Sequence, residues 1–278
     1  LTGVRRLGTG GGRARGGGGL LSAPTAPPLP PGGPGARSAA PVAWPADVGV
    51  PLVRTGRPGI VQSVDERRLV RIAAAGEARV TLSVAPGDYV RAGSVLGYVH
   101  GPAGTPPPHG IRLRRLASCV HVERVRSLDE DPSYGLRLLV DIAIRALSPA
   151  VNDPTTAVQA LDQIEEALVR LVARPLGVCL VTDDRGTPRL RRSAPAWPGL
   201  VSLALDEILH YGATSLQVVR RLRVLLDAVA EAAPAHRRPP LDERVALVNR
   251  CARAFRDPLL IAVAEGTDRQ GLGGAPAP

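Results

Sequence analysis

The stretch "RALSPAVNDPTTA", residues 145–157, joins two apolar-striped segments, and its reading decides how the second half of the chain folds. Upstream, Leu136, Leu139, Val140, Ala143 and Leu147 recur at helical spacing, which predicts a helix that stops before Pro149. Downstream, Ala157, Leu161, Ile164, Leu168 and Leu171 form a second stripe. That helix is expected to start at Pro154, because proline suits the first helical position and Asp153 is a good N-cap. It should end near Arg174-Pro175.

The joint is rich in polar groups, and the candidate site is Asp141, Arg145, Ser148, Asn152, Asp153 and Thr156. Two readings are open. Pro149, Asn152 and Asp153 suffice to stop one helix, turn the chain and cap the next. Alternatively, two helix ends meet so that Asn152, Asp153, Thr155 and Thr156 line a polar ligand site, although Asp153 at the cap would repel an anion. An enzyme would place Asp141, Arg145, Asn152 and Asp153 around one open pocket. Arg137, Asp141 and Arg145 are spaced by four and can form an ion-pair ladder along the first helix.

Further along, "GVCLVTDDRGTPRLRR" reads as a hairpin over 178–192 with its turn at Asp184-Arg185-Gly186. Helices follow over Pro198–Gly212, Ser215–Ala232 and Leu241–Phe255, and Asp257-Pro258 precedes a short apolar piece. Upstream, "GIVQSV", "RLVRIA", "ARVTLSV" and "GSVLGYV" read as short strands separated by turns. Cys119–Val122 alternates like one more strand. "VAPGDYVRAGSVLGYV" resembles the half-barrel of biotinyl and lipoyl carrier domains. Such a carrier holds its cofactor on a lysine, and this chain has no lysine, so only the scaffold likeness stands.

The expected fold is therefore α+β: a small all-β, half-barrel-like domain over 53–125, then a mainly α-helical domain over 128–266 with the hairpin inserted. Residues 1–50 hold 13 glycines and eight prolines. They and residues 267–278 are expected to be disordered, because such sequence buries too little surface to offset ordering entropy.

Hydrophobic residues make up 44% of the chain but aromatics only 3%, so its core must be aliphatic. Net charge is +10, carried wholly by arginine. Residues 51–278 hold 30 arginines and 24 acids in mixed order, so nucleic acid is not the expected partner. An anionic lipid or phosphate surface could still engage Arg112, Arg114, Arg115, Arg124 and Arg126. Cys119, Cys179 and Cys251 are far apart and read as reduced thiols. No pair among His100, His109, His121, His210 and His236 has helical metal spacing, and the "DED" run at 129–131 reads as a solvated helix start. Neither a metal nor a cofactor is expected. GxSxG, GxxxxGK and dinucleotide fingerprints are missing. No run reaches 18 apolar residues, so this stretch of chain is expected to be soluble as given.

"LVDIAIRALSPAVNDPTTAVQALDQI" at 139–164 also resembles the signature of a family of bacterial predicted membrane proteins, domain of unknown function 2254. "GIVQSVD" at 59–65 and "VAPGDYVRAG" are similar to its other landmarks, in the same order, so that the likeness runs over about residues 50–260. The matching positions include Asp141, Arg145, Ser148, Pro149, Asn152, Asp153, Pro154 and Thr156. The resemblance implies transmembrane helices ahead of a soluble region like this one and carries no activity and no catalytic residues; the region is expected to be cytoplasmic. Where those helices would end, this chain has its Gly/Pro-rich stretch, as expected of a truncated gene product or a soluble paralogue. The expected role is assembly or ligand sensing at the cell membrane, with the transmembrane segment or a second copy as partner.

Overall fold

The computed structural model describes Trp44 and residues 49–102, 111–126 and 131–271, all within the compact unit Gly32–Pro278. The expectations for residues 1–43 and 45–48, for His109, for Asp129 and Glu130, and for the tail beyond residue 271 lie outside the described residues.

The first portion contains strands β1 (Val50–Val53), β2 (Gly59–Val64), β3 (Arg79–Leu82), β4 (Tyr89–Val90), β5 (Val95–His100) and β6 (Val120–Glu123). Helices α1 (Glu66–Ala75) and α2 (Leu113–Ala117) lie among them. One expectation is corrected here: "RLVRIA" lies in α1 and is not a strand. Asp65 caps it, its carboxylate accepting the Arg68 N–H at 2.9 Å, and the alanines that follow are strong helix formers. Leu69, Val70 and Ala73, one step and one turn apart, all bury. The expected Pro86-Gly87 turn forms, with Gly87 at φ +94°, the left-handed position that a type II turn assigns to glycine. The Asp88 carboxylate accepts the Ala85 N–H at 2.8 Å across it.

The strands form two open sheets rather than a closed barrel. One has the order β4-β2-β6 and is antiparallel throughout. The other has the order β1-β5-β3-β8-β7, and its last two strands come from far along the chain. These are the expected hairpin, β7 (Val178–Thr182) and β8 (Pro188–Ser193). Strand β8 runs parallel to β3, pairing Val80 with Leu190 and Thr81 with Arg191. Leu190 is fully buried and shares one core with Leu69, Val70, Val80, Leu96 and Val99. Across the same seam, Arg189 donates to the Ala78 carbonyl at 3.3 Å.

The second portion contributes α3 (Pro132–Ala146), α4 (Pro154–Leu171), α5 (Trp197–Gly212), α6 (Leu216–Ala232), α7 (Pro239–Arg253) and α8 (Pro258–Glu265). Helix α3 packs on α4 and α5, α4 on α6, and α6 on α7 and α8. Their shared core is aliphatic, built on residues such as Val140, Leu161, Ile164, Leu205, Leu222 and Leu226. Asp131, Asp153, Ser215 and Asp257 cap α3, α4, α6 and α8 through their side chains. Buried charge is met in place. Arg220 donates to the Gly266 and Thr267 carbonyls at 3.3 and 3.2 Å and faces Asp268, pinning the segment after α8. Arg221 on α6 reaches Asp162 and Glu165 on α4, each at 2.7 Å; the Glu165 contact is ionic, without hydrogen-bond geometry.

Replacing Leu190 with alanine leaves a cavity at the seam between the two portions. It should lower unfolding stability by about 3 kcal/mol, read from urea denaturation. A loss under about 1 kcal/mol would mean that the hairpin is not anchored there.

Candidate functional site

The polar joint between α3 and α4 is held by its own backbone and by the Asp153 and Thr156 side chains, whereas the Ser148 and Asn152 side chains make no hydrogen bond among the described residues. The Ser148 carbonyl accepts the Val151 and Asn152 N–H groups at 3.0 and 2.8 Å. The Asp153 N–H donates to the Ala146 carbonyl at 2.8 Å, tying the start of α4 to the last turn of α3. Asn152 sits at φ +48°, in the left-handed region that asparagine tolerates better than other L-residues with a Cβ. The Asp153 carboxylate accepts the Thr156 N–H at 3.1 Å and the Thr156 hydroxyl at 2.5 Å. These bonds, the hydroxyl first and the backbone second, hold the Asp153 carboxyl below the usual aspartate range.

Asp141, on α3 itself, is engaged outside this cluster. Arg137 donates to Asp141 from the same helix and to Glu207 on α5, so that one guanidinium bridges two carboxylates. The Glu207 and Asp141 hydrogen bonds raise the Arg137 pKa, and the same arginine lowers that of Glu207. Asp141 and Glu207 are 44% and 47% exposed, so this is a solvated surface link contributing about 0.5 kcal/mol per pair. Arg145, the expected third rung of the ladder, is exposed and has no ion pair among the described residues. The structure thus brings Asn152, Asp153 and Thr156 together at the cap and puts Asp141 with Arg137 and Glu207.

A second feature is visible only in three dimensions. A cleft of about 450 Å³ lies between α1 and the hairpin. Helix α1 supplies Glu66, Arg67, Val70, Arg71 and Ala74 to one wall. The segment after α4 supplies Arg174 and Pro175, and the hairpin supplies Cys179, Val181 and Asp183 among others. Asp183 is committed to its turn: it accepts from the Arg189 guanidinium at 2.8 Å and from the Arg185 and Thr187 N–H groups at 3.0 and 2.9 Å. The Arg189 hydrogen bond is the main reason its carboxyl stays below the usual range. Glu66 is in ion contact with Arg192, whose buried Nε has no partner in hydrogen-bond geometry. The apolar periodicity of α1 could have pointed to this wall, had the run been read as a helix. Its meeting with residues 174–192 has no local signature.

The remaining titratable candidates are dispersed. His100 is buried beside Thr81, with Nε2 3.3 Å from the Thr81 hydroxyl, and burial lowers its pKa. His121 is exposed. Burial pushes the Cys119 thiol up, and all three cysteines are unpaired. Among the described residues no three His, Cys, Asp or Glu side chains gather into a set able to hold a metal ion. Arg112, Arg114, Arg115, Arg124 and Arg126 are all exposed, and of these only Arg126 has an ion pair among the described residues, with Asp131 at 3.2 Å.

Comparison with known proteins gives a consistent neighbourhood. Residues 33–228 match the model of a family described as "Predicted membrane protein (DUF2254)". Uncharacterized proteins of Mycobacterium bovis and Mycobacterium tuberculosis are each 35% identical to the chain over 216 residues, 77% of its length. The same alignment covers 41% of each relative, so the chain spans about two fifths of the length of the curated proteins it matches. No solved structure matches it.

The cap predicts a specific pH dependence. The Asp153 pKa is depressed in the folded chain, so its contribution is fully present above the ordinary value of 3.8 and is lost as the pH falls through the lower folded value. Asp153→Ala should therefore melt below the parent at pH 7, with the gap narrowing below pH 3.8. A gap that stays constant down to pH 2 would show that the carboxylate is not what holds the helix start.

Proposed function

The chain belongs to the DUF2254 family of predicted membrane proteins, and on that premise we propose that residues 49–271 form the extramembrane, cytoplasmic part of a membrane-anchored protein, acting through assembly or ligand sensing rather than turnover. No helix among the described residues is long and apolar enough to cross a membrane, so in this reading the anchor comes from elsewhere in the full protein.

The observation that carries the non-catalytic side of the proposal is the fate of the family-like polar cluster. Asp153 and Thr156 bond to each other, Asn152 supplies a left-handed turn, and Asp141 is bridged to α5 through Arg137. Groups engaged in this way fix helices against each other; they do not converge on a reacting atom. The cytoplasmic side is supported by the exposed Arg112, Arg114, Arg115 and Arg124, which suit a position beside an anionic leaflet.

Fractionation of the untruncated native gene product tests the anchor, and a reporter fused after Pro278 tests the side. The product should sediment with membranes and the reporter should face the cytoplasm. Quantitative recovery in the soluble fraction, or a reporter active only outside the inner membrane, would overturn the reading.

A further inference from the structure

We propose that the cleft between α1 and β7 binds a small amphiphilic anion: an organic molecule with one phosphate or carboxylate head and a short apolar body. The proposal deepens the ligand-sensing reading above and rests on it only for its biological meaning.

The cleft has the size of a small-molecule site, about 450 Å³. Its apolar lining combines Val70 and Ala74 from α1 with Pro175 and with Cys179 and Val181 from β7. Val70 and Cys179 are buried, at 7% exposure each, so this floor is a continuation of packed structure. Its rim is cationic. Arg67 and Arg71 stand four residues apart on α1, one turn of the same helix face. Both are exposed, and neither has an ion pair or hydrogen bond among the described residues. Arg174 adds a third guanidinium from the segment after α4.

That segment is held in place before any ligand arrives. Arg237 donates to the Arg174 carbonyl at 2.8 Å and also to the Leu171 and Val172 carbonyls. The carboxylates nearby do not cancel the rim. Glu66 is occupied by Arg192 and Asp183 by Arg189, which leaves Asp184 in the exposed turn. Among the described residues, three lining guanidiniums without an ion pair, of exposed Arg67 and Arg71 and half-buried Arg174, thus outnumber one uncommitted carboxylate. Guanidinium groups bind phosphate and carboxylate through paired N–H donors, whereas the floor rewards an apolar body that leaves water. A bare inorganic anion would use the rim alone, and a neutral alcohol the floor alone.

The recognised chemistry could come from a soluble metabolite or from a lipid whose head and first methylenes enter the cleft. Isothermal titration of the full 278-residue chain with hexyl phosphate, inorganic phosphate and 1-hexanol tests the site. Hexyl phosphate should bind at least about tenfold more tightly than either of the others. Arg67→Gln with Arg71→Gln, both at exposed positions, should weaken it about tenfold with melting unchanged. Ala74→Phe, which fills the floor, should weaken it as well. Arg250→Gln with Arg256→Gln, both exposed and neither in the lining of the cleft, should leave it unaltered. Vesicles of phosphatidylcholine with phosphatidic acid separate the sources: competition with hexyl phosphate that disappears in the Arg67/Arg71 variant supports the site with a lipid ligand, and hexyl phosphate binding without such competition supports it with a soluble one. Equal affinity for hexyl phosphate and inorganic phosphate, or equal losses in the two arginine pairs, would overturn the proposal. Because binding is read on this chain in solution, its failure is distinct from failure of the membrane location.

Discussion

The pairing of β8 with β3 is the constraint on which the rest of the architecture depends. A strand that follows α4 in sequence lies parallel to one formed about a hundred residues earlier, with Val80 opposite Leu190. Parallel neighbours cannot be joined by a tight turn, so the chain between them must leave the sheet and return. Here the excursion contains the first two helices of the bundle. The fully buried Leu190 then places the hairpin in the core of the first portion, although both its neighbours in sequence, α4 and α5, belong to the core of the second. The same seam creates the cleft: α1 covers one side of the sheet, β7 forms its edge, and the gap between them is lined by both.

Within the helical portion, polar side chains are spent on connection. The chain has few aromatics and an aliphatic core, and such a core is weakly directional. Specific angles between helices are held by capped ends and by arginines that cross between elements. Arg137 bridges α3 to α5, Arg221 bridges α6 to α4, and Arg244 on α7 bonds Asp206 on α5 through two nitrogens at 2.9 Å. At the "NDPTT" joint the Asp153 and Thr156 side chains, with the backbone of Ser148 and Asn152, close two helix ends within nine residues. An arginine is suited to each bridge because its planar fork satisfies two acceptors at once.

Local sequence carried α3 to α7 well, because each is long and periodic and several begin at a residue with a clear stereochemical role. Asp153-Pro154 and Asp257-Pro258 both combine an N-cap with a proline at the first helical position, and Ser215 caps α6. The hairpin was legible from its Gly186 turn, which takes φ +77°. The misreading of residues 68–73 has a physical cause: a six-residue run of Arg, Leu, Val and Ile fits a strand as well as a helix until its flanks are included. Asp65 before it and Ala74 and Ala75 after it are the deciding residues. The partner of β8 and the cleft were not legible, because both arise from residues about a hundred positions apart that no periodicity connects. The family likeness of residues 139–164 was legible as pattern, while the use of Asp141 to bridge α5 depends on Glu207, which the pattern does not contain.

The central claim is that the β3–β8 seam makes the two portions one cooperative structure. Native-state hydrogen exchange of the unmodified chain in rising urea measures this most directly, comparing the Val80 amide of β3 with the Ile164 amide of α4. The account predicts that the two exchange with the same free energy of opening and the same urea dependence, because both open only on global unfolding. If Val80 opened at a lower free energy while Ile164 stayed protected, the first portion would be unfolding by itself, and the claim would be contradicted.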